Sequence, residues 1–562
     1  MKEIRLPVGV SDFRKIREEG SYYIDKTGLI EELLKTKDTE VTLITRPRRF
    51  GKTLAMSMLA HFFDIREDSA VLFQGLKVSE NKELCGRWMN RYPVLFISFK
   101  DIDGRDFSIA YERLQGQLVE VFKKFDYLLK SDLVNEEDKR VFSLIKSENA
   151  NQGQVSRALS VLMSMLAAYY GKPVILLLDE YDVPVAKANL NGYYREMLDV
   201  IKGMLSTALK DNPSLQFAVV SGCLRITKES IFTGTNNFTT DTISDRRYDE
   251  YFGFTNKEVK RLLLDAGLEE RLELVQQWYD GYRFGDMDIY CPWDVLNYVD
   301  RALVQGMEKP QNFWANTSDN AVIGQFLDRT DFDVTEKFET LLSGGYIIEA
   351  INESLTYDFL TSSEENLWSL LYMTGYLTRV KKEDAKDSER PEDKYTALRI
   401  PNAEVQDIFR KSVVEWFNKK AANSDRQELF HALWNGETEK LTKLLSDLLF
   451  DTISFHDYAE SFYHAFVTGL VAGAGYIVES NYENGLGRPD IVIKDRSSRR
   501  ALVIEAKIAS SKERLDKECR AALLQIEKKE YARKIERSGF HKVICYGIAF
   551  YKKDCMVKSL EK

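Results

Sequence analysis

Proline is scarce, 11 in 562 residues, which is about 2% against a usual ~5% and excludes long proline-rich linkers. The six cysteines (Cys85, Cys223, Cys291, Cys519, Cys545, Cys555) are scattered without a CxxC pair. That excludes a dense disulfide framework and offers no zinc-ligand spacing. Histidine is rarer still, with five in all. His61, His431, His456 and His541 are dispersed and suit packing or surface roles better than catalysis. No serine or cysteine has nucleophile-elbow spacing, so covalent hydrolase chemistry has no support. Apolar runs such as Val174 to Leu178 fall far short of the ~20 residues that a membrane-spanning helix needs. The opening MKEIRLPVGVSDFRKI has no apolar h-region. A cytoplasmic protein with no membrane partner is therefore expected.

What is present is ordinary in bulk: 44% hydrophobic and 30% charged residues. These values exclude wholesale disorder and a coiled-coil rod. The length predicts roughly two to four domains. Net charge is −9, but its distribution is uneven. Residues 485–562 hold 20 Lys/Arg against 11 Asp/Glu, a balance of +9, whereas the rest hold 59 against 77, a balance of −18. A basic tail on an acidic body fits a polyanion-binding module joined to something else. A helix with a solvated cationic face has the same composition.

Four buried-strand patterns occur in the first 250 residues: Val41 to Thr45, Val94 to Phe99, Pro173 to Asp179 and Gln216 to Ser221. Helical stretches separate them, which predicts an α/β domain with a parallel sheet covered on both faces. Between the first strand and the helix from Leu54 to Phe63 lies Arg46-Pro47-Arg48-Arg49-Phe50-Gly51-Lys52-Thr53. This is the context of a phosphate-binding loop, whose usual pattern is GxxxxGK[ST]. Here Arg46 stands where the first glycine belongs. Loop N–H groups and Lys52 would face phosphates, and Thr53 would ligate Mg²⁺. The third strand ends in Asp179-Glu180, paired acids suited to holding Mg²⁺ through water and polarising an attacking water. The fourth ends in Ser221-Gly-Cys-Leu-Arg225, where Ser221 could sense a γ-phosphate and Arg225 or Lys228 could neutralise charge. Arg46, Arg48 and Arg49 are further phosphate or partner candidates, and the sequence does not choose between them.

Beyond about Tyr251 the strand signal fades and helices dominate. Thr255 and Glu258 have capping-box spacing. Leu367 to Leu377 reads as a helix, followed by two short strands around a charged loop, the outline of a winged-helix unit. Residues 405–450 read as helical. In the last hundred residues a helix (Tyr458 to Ala472), three strands (Tyr476 to Ser480, Asp490 to Lys494, Arg500 to Ile508), a long helix (Ser511 to Arg537) and a strand (Lys542 to Phe550) follow one another. Asp490 opens the second strand. Glu505 and Lys507 share one face of the third by period-two alternation. Two carboxylates and a lysine can hold one or two Mg²⁺ and orient or deprotonate water for phosphodiester hydrolysis. Glu460, with His464 one turn on, could add a metal ligand, and Gln525 lies on a helix rich in Lys and Arg. By itself a D…ExK spacing also describes an exposed strand with a salt-bridged pair.

The segments GVSDFRKIREEGSYYIDKTGLI, RPRRFGKT, LLLDEYD, SGCLRITKESIFTGTNNF, YFGFTNKEV, WYDGYRFG and FWANTSDN together resemble the bacterial AAA-ATPase-like family. Its members commonly carry a C-terminal PD-(D/E)XK nuclease-like domain. That family's loop also lacks the first glycine. The resemblance implies an AAA-type P-loop ATPase core (1–250), a helical lid with a winged-helix-like connector (251–450) and a restriction-endonuclease-like α/β domain (451–562). It gives Lys52 and Thr53 the phosphate and Mg²⁺ roles, and Asp179 and Glu180 the Walker B roles. Glu460, Asp490, Glu505, Lys507 and Gln525 fall at the nuclease motif positions. ATP and Mg²⁺ are the expected cofactors and DNA or RNA the expected partner of the C-terminal domain. A homo-oligomer is a further expectation, because AAA-type sites often take an arginine from a neighbour.

Overall fold

Five consecutive apolar or β-branched residues, Val41–Thr45, have no polar face to offer solvent. They form strand β1, buried at every position. It lies in a computed structural model that describes residues 4–35, 39–225, 238–306, 309–314, 335–353, 355, 363–381, 384, 395–409, 411, 427–452, 463, 467, 477–480, 490–495 and 498–561. Strands β2 (Val94–Ser98), β3 (Val174–Asp179), β4 (Leu215–Gly222) and β5 (Phe238–Asp241) join it in the order β2-β3-β4-β1-β5, every pair parallel. Alternate side chains feed two cores. Leu43, Leu95, Leu176 and Val220 point to one, closed by helices that include Phe107–Lys123 and Ala158–Tyr170. Ile44, Val94, Leu177 and Val219 point to the other, closed by helix α1 (Lys52–Phe63). The register brings Ser98 level with Asp179, Leu178 with Val220, and Thr45 with Gly222. The C-terminal strand ends thus converge on one edge, where open α/β sheets bind ligands.

Four of these strands are the ones the apolar runs predict. The fifth, Phe238–Asp241 (FTTD), is short and mostly polar, and nothing in its pattern announces a strand. The expectation that strands fade beyond Tyr251 is corrected. Strands β6 (Phe254–Thr255), β7 (Tyr282–Phe284) and β8 (Met287–Tyr290) form a three-stranded sheet in which β8 pairs antiparallel with both neighbours. Helices α2 (Asn256–Ala266) and α3 (Pro292–Gln305) pack through Val259, Leu262, Val295 and Val299. The capping box forms: the Thr255 N–H donates to Glu258 Oε2 at 2.7 Å, and the Glu258 N–H donates to Thr255 Oγ1 at 3.4 Å. Strand β9 (Ile347–Ala350) precedes helix α4 (Glu364–Met373), which is followed by the antiparallel pair β10 (Thr378–Arg379) and β11 (Tyr395–Arg399). Helix-then-hairpin is the winged-helix outline the sequence suggests.

By its contacts the chain divides into two units, residues 1–318 with 348–405, and residues 319–347 with 406–562. In the second unit, strands β12 (Ile477–Ser480), β13 (Ile491–Asp495), β14 (Arg500–Ile508), β15 (Lys542–Tyr551) and β16 (Asp554–Glu561) form a sheet in that order. Only β14 and β15 are parallel. Helices α5 (Gln427–Asn435) and α6 (Thr438–Thr452) cover one face through Leu433, Leu441 and Leu445 against Ile493, Leu502 and Ile504. Helices α7 (Leu515–Lys528) and α8 (Tyr531–Arg537) cover the other through Leu523, Ile526 and Ile535 against Val492, Val503 and Val543. The long helix expected from Ser511 to Arg537 is therefore two helices, broken where Glu530 takes a φ of 50°. The helix expected from Tyr458 to Ala472 falls largely outside the described residues, and Glu460 and His464 with it. Among the described residues no helix is long and apolar enough to cross a membrane.

The capping box gives the first prediction. Thr255→Ala should destabilise the 254–305 region by about 1 kcal/mol, seen as earlier amide exchange in α2, and wild-type exchange there would contradict the assignment.

Candidate functional sites

The loop after β1 is anchored on three sides before any ligand is considered. Phe50 is fully buried and meets Tyr282 and Phe284 of β7, each with ring centroids 4.9 Å away. The aromatic-glycine segment at 279–285 thus packs against the loop. Pro47 is buried as well. Arg46 is corrected from a phosphate ligand to a structural cation. Its side chain is fully buried, with Nη2 donating to Asp241 Oδ1 at 2.6 Å and Nη1 donating to the carbonyls of Thr45 (2.9 Å) and Asp241 (3.2 Å). Its guanidinium lies 5.3 Å from the Phe252 ring and 5.4 Å from the Phe284 ring. The residue in place of the first glycine thus ties β1 to β5, and Asp241 was invisible to the sequence reading because its strand was.

Gly51 takes a φ of 87°, a left-handed turn that glycine makes without steric cost, and α1 begins at Lys52 with no side chain capping it. The helix N–H groups therefore face the loop opening, where an anion is favoured. Lys52 Nζ donates to the carbonyls of Arg46 and Pro47, both at 3.0 Å, and lies 3.7 Å from Glu180 Oε1. Burial alone would depress this ammonium. Cys223, Glu180, Asp182 and Asp179 around it more than offset that, so it stays charged.

Thr53 Oγ1 donates to Asp179 Oδ2 at 2.8 Å, joining loop and acid pair across 126 residues. Ser221 Oγ donates to Asp179 Oδ1 at 2.6 Å, and Ser98 Oγ reaches Oδ2 at 3.3 Å. Burial raises the Asp179 carboxyl above the ordinary range; the Ser221 hydrogen bond opposes this, Glu180 adds to it, and Thr53 and Lys52 pull it back. Glu180 turns sharply at a φ of 54°, which points its carboxylate back at Lys52. Asp182 Oδ2 accepts the N–H groups of Cys223 (2.9 Å) and Leu224 (3.0 Å), while the Tyr181 hydroxyl donates to the Leu224 carbonyl at 2.8 Å. The ends of β3 and β4 are thereby locked together. Ser98 and Asp182 extend the site beyond the residues the sequence singled out, and each was legible: one ends an apolar strand, the other closes the LDEYD run.

A cavity of about 700 Å³ opens beside these groups, within the range of small-molecule sites. Arg48, Arg49, Lys52, Thr53 and Glu180 line it together with apolar residues such as Ile24, Pro292, Trp293 and Leu296. Arg225 does not line it. The oxygen set at Thr53 and Asp179 suits Mg²⁺, which takes few protein ligands and completes its shell with water and phosphate oxygens. No group of three or more His, Cys, Asp and Glu placed to hold a metal occurs among the described residues.

In the second unit, β13 and β14 pair with Ile491 opposite Ile504, which places Asp490 opposite Glu505 at the next step of the ladder. Asp490 Oδ2 accepts the Ala506 N–H at 2.8 Å. Lys507 Nζ lies 3.7 Å from Glu505 Oε1, and Gln525 Nε2 donates to that same oxygen. Four of the five expected residues therefore meet, and Glu460 lies outside the described residues. Gln525 reaches the sheet because Glu505 pairs with Gly547 of β15. A Cβ at position 547 would collide with the Cys519 carbonyl and press on Leu523 and Ala522 of α7. Much of the local positive surplus is already paired, for example Arg500 with Asp495 (3.0 Å), Lys512 with Asp554 (2.8 Å) and Arg520 with Asp516 (2.8 Å).

Two substitutions test these placements. Asp241→Ala should cost about 3–5 kcal/mol in chemical denaturation by stranding the Arg46 charge; a loss below ~1 kcal/mol would mean the pair does not anchor the loop. Gly547→Ala should destabilise the second unit by about 1–3 kcal/mol through overpacking, and unchanged stability would show that α7 can sit further from β15.

Comparison with known proteins agrees with this geometry. Residues 7–232 match the family model described as predicted AAA-ATPase, and residues 458–560 match that of the PD-(D/E)XK nuclease superfamily. A protein of Azotobacter chroococcum mcd 1, described as "Uncharacterized protein in vnfD 5'region", is 29% identical over 436 residues, covering 76% of this chain and 73% of its own. With both regions matched in this order, on a parallel α/β sheet and a separate C-terminal sheet, the chain has the architecture of an AAA-ATPase-like protein carrying a C-terminal PD-(D/E)XK nuclease-superfamily domain.

Proposed function

We propose that the chain is an ATP-binding and ATP-hydrolysing protein whose nucleotide cycle controls a C-terminal metal-dependent nuclease acting on DNA or RNA. The observation that carries the ATP reading is the Thr53–Asp179 hydrogen bond beside buried Lys52. It joins the lysine loop to the strand-end acid pair, of which Glu180 lines the cavity and Asp179 lies buried behind Thr53. In this reading residues 1–250 bind ATP and 251–450 link them to the nuclease. The apolar lining of the cavity holds the base. The α1 N-terminus and Lys52 hold the phosphates, Thr53 and Asp179 hold Mg²⁺, and Ser221 orients Asp179. Glu180 takes the proton of the attacking water. Bound Mg²⁺ supplies charge neutralisation on the β- and γ-phosphate oxygens.

At the second site Asp490 and Glu505 are the metal-holding carboxylates, and Lys507 orients or deprotonates the water that attacks the phosphodiester. Gln525 fixes one Glu505 oxygen, leaving the carboxylate's orientation set by the helix behind it. Lysines and arginines of this unit would track the nucleic-acid backbone.

Lys52→Ala should abolish ATP binding in calorimetry, whereas Glu180→Gln should bind ATP and turn it over at least about 10²-fold more slowly. Cleavage of single- and double-stranded DNA and RNA, with Mg²⁺ or Mn²⁺ and with or without ATP, should be metal-dependent and lost in Asp490→Ala. Wild-type ATP affinity in Lys52→Ala would remove the phosphate-loop assignment. No cleavage by ATP-binding protein under any of these conditions would leave a nucleotide-dependent binding switch in place of the nuclease.

A further inference from the structure

Four arginines stand at the ends of β1 and β4, and each could serve a phosphoryl group. The structure sets them apart. Arg46 is buried against Asp241. Arg225 follows the β4 turn and is outside the cavity lining. Arg48 and Arg49 both line the cavity. Arg49, at a φ of 74°, lays its guanidinium over the Trp293 ring at 4.0 Å, against the apolar lining. Arg48 lines the cavity with Lys52 and Glu180 and is only partly exposed. Cys223, Glu180 and Asp182 act on its guanidinium electrostatically.

We infer that Arg48 is the arginine that acts on the γ-phosphate, supplied in cis by the phosphate loop itself from the Glu180 side of the cavity. The inference rests on the ATP reading above and assigns a residue that reading leaves open. Its physical basis is charge. Asp179, Glu180 and Asp182 are carboxylates crowded at one strand edge, and Lys52 is the buried cation among them. An incoming triphosphate adds negative charge to that edge. A guanidinium standing between Glu180 and the phosphoryl group offsets the repulsion with two parallel N–H donors, a geometry that a lysine lacks. During hydrolysis the water oxygen attacks the γ-phosphorus and its proton passes to the Glu180 carboxylate. The bond from the γ-phosphorus to the bridging oxygen breaks, and the electron pair leaves on ADP. Charge spreads over the γ-oxygens as this happens, and a preorganised cation in a half-buried site acts on that charge.

The test compares Mg²⁺-ADP with the non-hydrolysable β,γ-imido analogue of ATP in calorimetry, alongside the hydrolysis rate. Arg48→Ala should leave ADP affinity within about twofold and weaken the analogue about tenfold. It should also slow turnover by about 10²-fold or more. Arg48→Lys should recover affinity for the analogue but not turnover, because the fork is lost. Finding the analogue-specific loss in Arg49→Ala instead would overturn the assignment. Preserved ADP binding is the internal proof of folding. An Arg48→Ala protein with the wild-type ratio of ADP to analogue affinity would overturn the assignment, as would finding the loss in Arg225→Ala instead. Wild-type protein that binds neither nucleotide would overturn the phosphate-site reading itself, and Arg48 with it.

Discussion

The hydrogen bond from Thr53 to Asp179 is the contact on which the first site depends. It joins the helix that follows β1 to the end of β3, two segments far apart in the chain but only one strand removed in the sheet. That proximity is a consequence of topology. With β4 between β1 and β3 and all strands parallel, every C-terminal strand end falls on one edge. Ser98, Asp179, Ser221 and the lysine loop then meet without any of them being close in sequence. The Arg46–Asp241 pair and the Phe50–Tyr282–Phe284 contacts hold the loop from behind. The polar side of the cavity is thus built on three independently fixed supports.

The second site has a different constraint, close packing. An antiparallel step puts Asp490 opposite Glu505, and a glycine in the neighbouring parallel strand lets α7 approach until Gln525 touches the same carboxylate. In the proposed metal-holding role of Glu505, such a hydrogen-bonding neighbour would orient the carboxylate. Here the neighbour's reach depends on a missing side chain at position 547.

Strands with both faces buried were legible because nothing but an unbroken apolar run can form them. β1 begins and ends where its residue pattern does. β5 was not legible, since four residues of FTTD carry no periodic signal, and Asp241 was lost with it. The same holds for β6, β7 and β8, which are two to four residues long and stabilised by pairing with each other. A helix break at Glu530 leaves no mark in a run as polar as EKKE. Among candidate site residues, the lysine loop, the acid pair and the D…ExK set stand out by their spacing beside apolar strand patterns. Which loop arginines line the cavity was not legible, because side-chain direction in a loop is set by contacts, here the Asp241 carboxylate that holds Arg46 away, that only the fold supplies.

The central claim is that separate strand ends make one phosphate site, and amide hydrogen exchange with and without Mg²⁺-ATP tests it most directly. The account predicts that nucleotide slows exchange together in residues 46–55, 179–183 and 221–225, with Lys52→Ala abolishing all three changes at once. Protection confined to one of these segments, or appearing only elsewhere in the chain, would contradict it.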